Sequence, residues 1–439
     1  VTGQTNNQPE TDEWGVNMQT SPAIIATTIF LITYFFLITR LARPVFATSA
    51  AAIVLLLTGT LTIQEALAAI NFNVLGIVGG MMILAELFIA SRAPEYFASL
   101  LVGRVRTAGV ALVVVSAFAG VISAFVDNVA TVLIVAPIAF DIAKRLHTSP
   151  APFLIGIAIS SNLQGTATLI GDATSVMLAT AANLNFLDFF WLEGRPGIFF
   201  VVEIGAVAAT LILWFMFRHL KQEINFEQTN RVLTWVPTAL LGGVIATLAL
   251  SSFIPNRPDN LLGLITIGFG LLGILWNTLW GHLDFSWQDL DWETLMFLTG
   301  VFILVGSLSA TGVVSSIASW ISQLTGGSIL ITFLVLVWMS VLVSAFVDNI
   351  PYTLAMLPVA QQVAASVGTS PYLLMFGLMI GTTLGGNITP IGASANVVAV
   401  GLLRKQGVDV SFGEFVRIGL PFTLTAVLTA SILLWLFWA

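Results

Sequence analysis

Long apolar runs separated by short polar stretches recur from Pro22 to the end of the chain. Each is about 18 residues or more, the length that crosses a bilayer as a helix. In order they predict spans at 22–42, 44–61 and 70–91, then two arms at 107–126 and 129–146. A segment interrupted by Gly and Thr follows at 151–183, and another span at 198–218. A polar linker at 219–234, around "RHLKQEINFEQTNR", divides the chain. The series then returns as spans at 235–255, 260–280 and 291–312, arms at 327–347 and 350–367, an interrupted segment at 371–402 and a last span at 416–438. Continuous runs of this kind exclude a β-barrel, whose strands are short and alternate.

Composition supports the same class. Of 439 residues 57% are hydrophobic and 8% charged, against about a quarter charged in a soluble domain. So few charges do not cover a soluble surface. Residues 1–20 are polar and acidic, lack the basic start of a signal peptide, and read as a disordered tail. The net charge of −7 sits mostly in short loops and carries no basic patch for nucleic acid. There is no cysteine, which excludes disulfides and thiolate metal sites. His147, His219 and His282 lie near segment ends without metal-site spacing.

Positive charges orient the map. With the N-terminus outside, thirteen of the fifteen Lys and Arg residues fall in cytoplasmic loops, and only Arg195 and Arg257 fall outside. This is the positive-inside pattern, and it predicts an integral protein of the inner or plasma membrane with both termini extracytoplasmic. Trp191, Trp235, Trp276, Trp280 and Trp292 near span ends fit an interfacial aromatic belt.

The hexapeptide "SAFVDN" occurs at 123–128 and again at 344–349. Leu75, Gly80, Ile83 and Leu84 match Leu295, Gly300, Ile303 and Leu304, and "GTATLIGDATSV" at 165–176 matches "GNITPIGASANV" at 386–397. The halves are a duplication: 21–218 is the first repeat and 235–439 the second. Each holds an odd number of crossings, so the second enters with opposite orientation. Inverted repeats with interrupted helices are characteristic of secondary transporters, whose sites lie near the midplane where the repeats meet. Asp-Asn flanked directly by apolar residues predicts re-entrant hairpins with buried tips. The fold expected is an all-α polytopic membrane protein of two inverted-topology repeats, each with a re-entrant hairpin and a broken helix.

An Asp at the midplane costs about 3 kcal/mol on insertion scales and marks ion or proton pathways by default. Desolvation favours the neutral acid and a bound cation the carboxylate, so such an Asp exchanges a proton for a cation. The adjacent Asn adds a carbonyl oxygen for a hard ion. Asp127, Asn128, Thr166, Thr168, Gly171 and Asp172 form one candidate set; Asp348, Asn349, Asn387, Thr389, Gly392 and Asn396 form the other. Na⁺ is expected at Asp127, Asn128, Asp348 and Asn349. Asp172 faces Ala393 in the alignment, so capping of a helix is its competing reading. Glu86 and Glu203 have no matching acid and read as packing or snorkelling groups, and the Gly pair of "IVGGMM" as helix packing.

These motifs, "SAFVDNVATVLIVAPIA" and "SAFVDNIPYTLAMLPVA" with "GTATLIGDATS" and "GGNITPIGASANVVAVGLL", resemble the ion transporter superfamily. The resemblance is to the group of arsenite permeases, NhaD-type sodium–proton antiporters, the melanosomal P protein and citrate-transporter-like permeases. It implies a scaffold domain, a transport domain moving as an elevator, and a homodimer. Related dicarboxylate symporters carry Ser-Asn-Thr at the tips, where this chain has Asp127-Asn128-Val129 and Asp348-Asn349-Ile350. Acid at both tips is more similar to the sodium–proton antiporters. The functional expectation is a non-enzymatic secondary transporter of a small ion coupled to Na⁺ or H⁺, without other cofactors and in contact with the lipid bilayer. The alternative is a permease for arsenite, another oxyanion or a di- or tricarboxylate. A channel shares the broken helices. An intramembrane aspartyl protease would need Gly-x-Gly-Asp, where this chain has "LIGD" and "AFVD".

Overall fold

The computed structural model describes residues 20–223, 231–281 and 283–439. The expected tail (but for Thr20), the middle of the linker and His282 lie outside the described residues. The first half contains α1 (Thr20–Thr39), α2 (Pro44–Leu57), α3 (Ile63–Ala69), α4 (Phe72–Ala90), α5 (Ala93–Val102), α6 (Ala108–Ser123), α7 (Asn128–Leu146), α8 (Ala151–Gln164), α9 (Ala173–Ala181) and α10 (Ile198–Phe217). The second contains α11 (Val236–Ser251), α12 (Leu261–Trp276), α13 (Trp292–Ala310), α14 (Val313–Leu324), α15 (Ile329–Ser344), α16 (Asn349–Val367), α17 (Pro371–Gly385), α18 (Ser394–Lys405) and α19 (Phe412–Trp438). One short antiparallel ribbon pairs β1 (Trp191–Leu192) with β2 (Arg195–Pro196) before α10.

Six helical runs are long and apolar enough to cross a membrane: α1, α4, α10, α12 continued by a π-helical turn to Gly281, α13 and α19. The chain is therefore an integral membrane protein. The segments at 44–61 and 235–255 shorten to fourteen and sixteen residues, α2 and α11. Both interrupted segments break where Gly and Thr accumulate, between α8 and α9 and between α17 and α18. Three short helices, α3, α5 and α14, stand where the hydropathy pattern suggested loops. In α14 the buried residues are Val314, Ala318 and Ile321, spaced as one helical face, while Trp320 and Leu324 are exposed. Such a helix is too short and too mixed to register as a span.

The halves pack by exchange of equivalent partners. Helix α4 packs on α12, and its counterpart α13 packs on α2. Hairpin arm α6 packs on α8 as α15 packs on α17. The last helices of the two halves, α10 and α19, lie together and run antiparallel, because Trp438 Nε1 donates to the Pro196 carbonyl at 3.1 Å. That contact also separates two ends of the molecule. At one end, Gln222 and Leu220 accept from the backbone of Ala108 and Gly109, and Leu233 N–H donates to Ser91. At the other, Arg195 Nη1 reaches the Phe437 carbonyl at 3.1 Å.

Close helix approach depends on glycine. A Cβ at Gly80 would stand 2.3 Å from the Thr266 carbonyl carbon of α12, and one at Gly76 3.0 Å from Gly263. Asn73 Oδ1 accepts from Gly263 N–H at 2.8 Å at the same seam. Gly80 of "IVGGMM" thus packs α4 on α12, as expected of small residues in membrane helices, while a Cβ at its neighbour Gly79 would meet only the Leu295 side chain of α13, at 3.7 Å. Gly80→Ala should force the helices apart and cost about 1–3 kcal/mol, the usual range for overpacking. Thermal unfolding in detergent measures it; an unchanged midpoint would show that the seam yields without cost.

Candidate functional site

Each "SAFVDN" ends one hairpin arm and opens the next. In the first, α6 stops at Ser123 and α7 starts at Asn128, with Asp127 as N-cap: its Oδ1 accepts from Val129 N–H at 2.9 Å and Ala130 N–H at 3.3 Å. In the second, Asp348 caps α16 through Ile350 N–H at 3.2 Å. Asp is a preferred N-cap because its carboxylate satisfies N–H groups that the helix leaves unpaired. The first hairpin leaves from Thr107, at the linker end. The second returns to α17, whose Tyr372 ring meets Trp438 at 5.6 Å, at the opposite end. Both tips nonetheless line one cavity of about 460 Å³.

Behind each tip, the same bonds tie it to the broken helix. Ser123 donates to Asn128 Oδ1 at 2.7 Å, and Ser344 to Asn349 Oδ1 at 2.7 Å. Thr168 donates to the Ala124 carbonyl, and Thr389 to the Ala345 carbonyl. These threonines fasten the breaks to the tips, so their hydroxyl protons are committed. The Thr166 hydroxyl is fully buried and meets no partner among the described residues. Gly171 and Gly392 sit where the break crosses the tip backbone.

The tip residues then diverge. Asn128 Nδ2 donates to Asp172 Oδ2 at 3.0 Å, and Thr174 donates to the same oxygen at 3.2 Å. Asp172 occupies the N-cap position of α9, yet its side chain caps no N–H there. At the corresponding place the second half has Ala393, and Ser394 donates instead to Asp348 Oδ2 at 2.6 Å. Asp127 is exposed to the cavity, Asp348 half-buried, and Asp172 only 7% exposed. The charges of Asp127 and Asp348 both reach Asp172.

Six of the twelve candidate residues face the cavity: Asp127, Asn128, Gly171, Asp172, Asp348 and Asn349. The other six, Thr166, Thr168, Asn387, Thr389, Gly392 and Asn396, lie behind it. Asn396 Nδ2 closes the second break by donating to the Gly386 and Thr389 carbonyls, each at 2.9 Å. Hydropathy gave no hint of the opposite wall. Glu86 of α4, read as snorkelling, lines the cavity together with Asp289 and Asp291. Asp291 caps α13 through Thr294 N–H at 3.0 Å, and its charge acts on Asp127. Glu203 lies outside the lining and accepts from Gln164 Nε2 at 3.0 Å. Among the described residues the lining thus holds six carboxylates and no Lys, Arg or His. Arg40 stays outside it and donates to the Ile391 carbonyl at 3.0 Å. No group of three or more acidic or histidine side chains close enough to share a metal ion occurs among the described residues.

Apolar helices around a carboxylate-bearing cavity, built from paired hairpins and broken helices, define a membrane transporter. The family model described as "Citrate transporter" (CitMHS) matches residues 33–376, and the chain belongs to that family within the ion transporter superfamily. An uncharacterized transporter of Mycobacterium bovis is 32% identical over 94% of this chain and 98% of its own. The human P protein is 29% identical over 80% of this chain and 52% of its own length. Among solved structures, the YdaH transporter of Alcanivorax borkumensis aligns with a TM-score of 0.58 at 15% identity, over 94% of this chain and 97% of its own. MtrF of Neisseria gonorrhoeae, described within a class of antimetabolite efflux pumps, aligns at 0.54 and 14%, over 96% of both chains. At such identities they support the fold alone.

Proposed function

We propose that this transporter is a secondary active carrier that exchanges a small cation, Na⁺ or a similar hard ion, for protons by alternating access. The observation that carries the reading is the cavity wall, with six carboxylates and, among the described residues, no basic side chain. A low-dielectric cleft of one sign concentrates counter-ions of the other. Free anions meet a second obstacle: the N-termini of α7 and α16, natural anion sites, already hold the side chains of Asp127 and Asp348. Asp172 is the central exchanging group, because it is the most buried of the three and the charges of the other two converge on it. Asp348 with Ser394 contributes the second half.

The antiparallel pairing of α10 with α19 and the exchanged helix pairs support two inverted repeats. The positive-inside pattern assigns the linker end to the cytoplasm. Glu86 lies near the end of α4 that leads to Ser91 and the linker, so the cavity opens inward in this reading. The hairpins and broken helices are the moving part of an elevator, and the paired α4–α12 and α2–α13 are its scaffold.

In proteoliposomes with an imposed pH gradient, Na⁺ or Li⁺ should dissipate the gradient, and K⁺ or choline should not. Asp348→Asn should lower this exchange by about tenfold, the equivalent of about 1.4 kcal/mol, since it removes a half-buried carboxylate from the cation's site. Absence of cation-dependent proton flux in the unmodified protein would sink the proposal. The family's description favours a second reading, a permease for citrate or a similar carboxylate. With this wall, such an anion needs accompanying cations to neutralise it. Saturable uptake of labelled citrate, dependent on added cation, is the result that would favour it.

A further inference from the structure

Asn162 of α8 is 1% exposed, lines the cavity, and belongs to neither "SAFVDN" nor the two breaks. Its Nδ2 donates to Asn387 Oδ1 and to Asn396 Oδ1, both at 2.9 Å, across 225 and 234 residues of chain. It is therefore the side-chain bridge from the first repeat's broken helix to the second's.

The orientation of this amide follows from its neighbours. Backbone carbonyls only accept, so Asn387 must turn its Nδ2 to the Ile159 carbonyl, at 3.1 Å, and Asn396 its Nδ2 to the Gly386 and Thr389 carbonyls. Both residues are then left with Oδ1 toward Asn162, which answers with its own NH₂. Asn162 Oδ1 is thereby turned away from the bridge. It accepts no hydrogen bond from the described residues, and it is not among their enclosed, unpartnered polar atoms, so it borders the cavity that the side chain lines. A polar atom locked in direction and left without a protein partner is an unusual expense in a membrane interior. The repeat counterpart, 221 residues on, is Thr383, whose hydroxyl is spent on the Met379 carbonyl at 2.7 Å. Among the described residues, this side-chain-to-side-chain bridge between the two broken helices therefore has no counterpart at the aligned position.

Building on the cation-exchange reading, we infer that Asn162 Oδ1 is a direct ligand of the transported cation, shared between the two half-sites and acting beside Asp172. A hard cation takes its ligands from carboxylate and amide oxygens alike. The absence of a three-carboxylate cluster among the described residues suits a monovalent ion bound by a mixed set of this kind. The amide nitrogen meanwhile keeps the repeats in register, so one side chain joins the moving halves and reads the ion.

The test uses the full chain, purified in detergent, with thermal unfolding followed as NaCl replaces choline chloride at constant ionic strength, and again with LiCl. The unmodified protein should be stabilised saturably. Asn162→Ala should raise the half-saturating Na⁺ concentration about 10–100-fold, as expected when one group contacting a charge is removed. Asn162→Asp gives up both donor bonds of the bridge and sets a carboxylate oxygen against Asn387 Oδ1 and Asn396 Oδ1, a repulsion that a directly bound cation relieves, so at pH 8.5 it should lower that concentration by about tenfold and change the Na⁺/Li⁺ ratio. Equal weakening in both variants would mean that only the bridge matters, and an unchanged Asn162→Ala would overturn the inference outright. Where Asn162→Ala does not fold, Asn162→Asp decides alone: unchanged or weaker Na⁺ binding overturns it. No cation response in the unmodified protein would instead remove the exchange reading itself.

Discussion

Asp172→Asn should silence cation-driven proton flux while leaving the protein folded. The substitution is nearly isosteric, and an amide oxygen can still accept from Asn128 and Thr174, which hold Asp172 Oδ2 at 3.0 and 3.2 Å. What it removes is the one buried charge of the cavity. Breaking a buried charge pair costs about 3–5 kcal/mol, so cation affinity should fall by two to three orders of magnitude. Asp127→Asn is the contrasting case. Asp127 is exposed and caps α7, and Asn caps a helix about as well. Its loss of charge at the most open of the three carboxylates, with the helix cap kept, should weaken exchange by less than about tenfold. Flux in proteoliposomes and Na⁺-dependent thermal stabilisation measure both. The assignment of the central role to Asp172 fails if Asp127→Asn proves the more damaging of the two.

The second large effect is expected at the crossing of tip and break. A Cβ on Gly392 would stand 2.5 Å from the Gly386 carbonyl oxygen and 2.8 Å from those of Ser344 and Ala345. At Gly171 the matching approaches are 2.5 Å to Gly165, 2.9 Å to Ser123 and 3.0 Å to Ala124. All of these neighbours are backbone, which no rotamer change can move. Gly171→Ala and Gly392→Ala should each cost at least about 1–3 kcal/mol and abolish flux, because the tip and break must separate. Gly242→Ala is the control, since nothing lies within 4 Å of its added carbon. It should leave stability and flux intact. Comparable losses at all three positions would show that glycine matters there for reasons other than close approach.

Much of this architecture is legible along the chain. Hydropathy is a local property, and a bilayer imposes it on every crossing segment, so long apolar runs announce themselves. The breaks at 165–172 and 386–393 are equally local, because Gly, Thr and Pro interrupt helices wherever they cluster. The helices that escaped are short: α5 and α14 bury one face on the surface they rest on, and α3 starts from a local capping box of Thr62 and Glu65 that hydropathy does not register. The candidate site was half legible. Aligning the halves singles out Asp127, Asn128, Asp348 and Asn349, all of which line the cavity. The same alignment undervalues what is not repeated: Asp172, matched by Ala393, and Asn162, matched by Thr383.

The sequence alone therefore determined the membrane class, the recurrence of "SAFVDN", the position of each hairpin tip and the family. These depend on composition and on order along one dimension. Only the tertiary structure decided which carboxylate is buried, that Glu86, Asp289 and Asp291 face the tips, and that Asn162 bridges the repeats. Those outcomes depend on where side chains point once segments more than two hundred residues apart are packed together. Burial and charge are set there by neighbours in space, and the two copies of "SAFVDN" receive different ones: Asn128 donates to the Asp172 carboxylate, whereas in the second half Ser394 donates to Asp348.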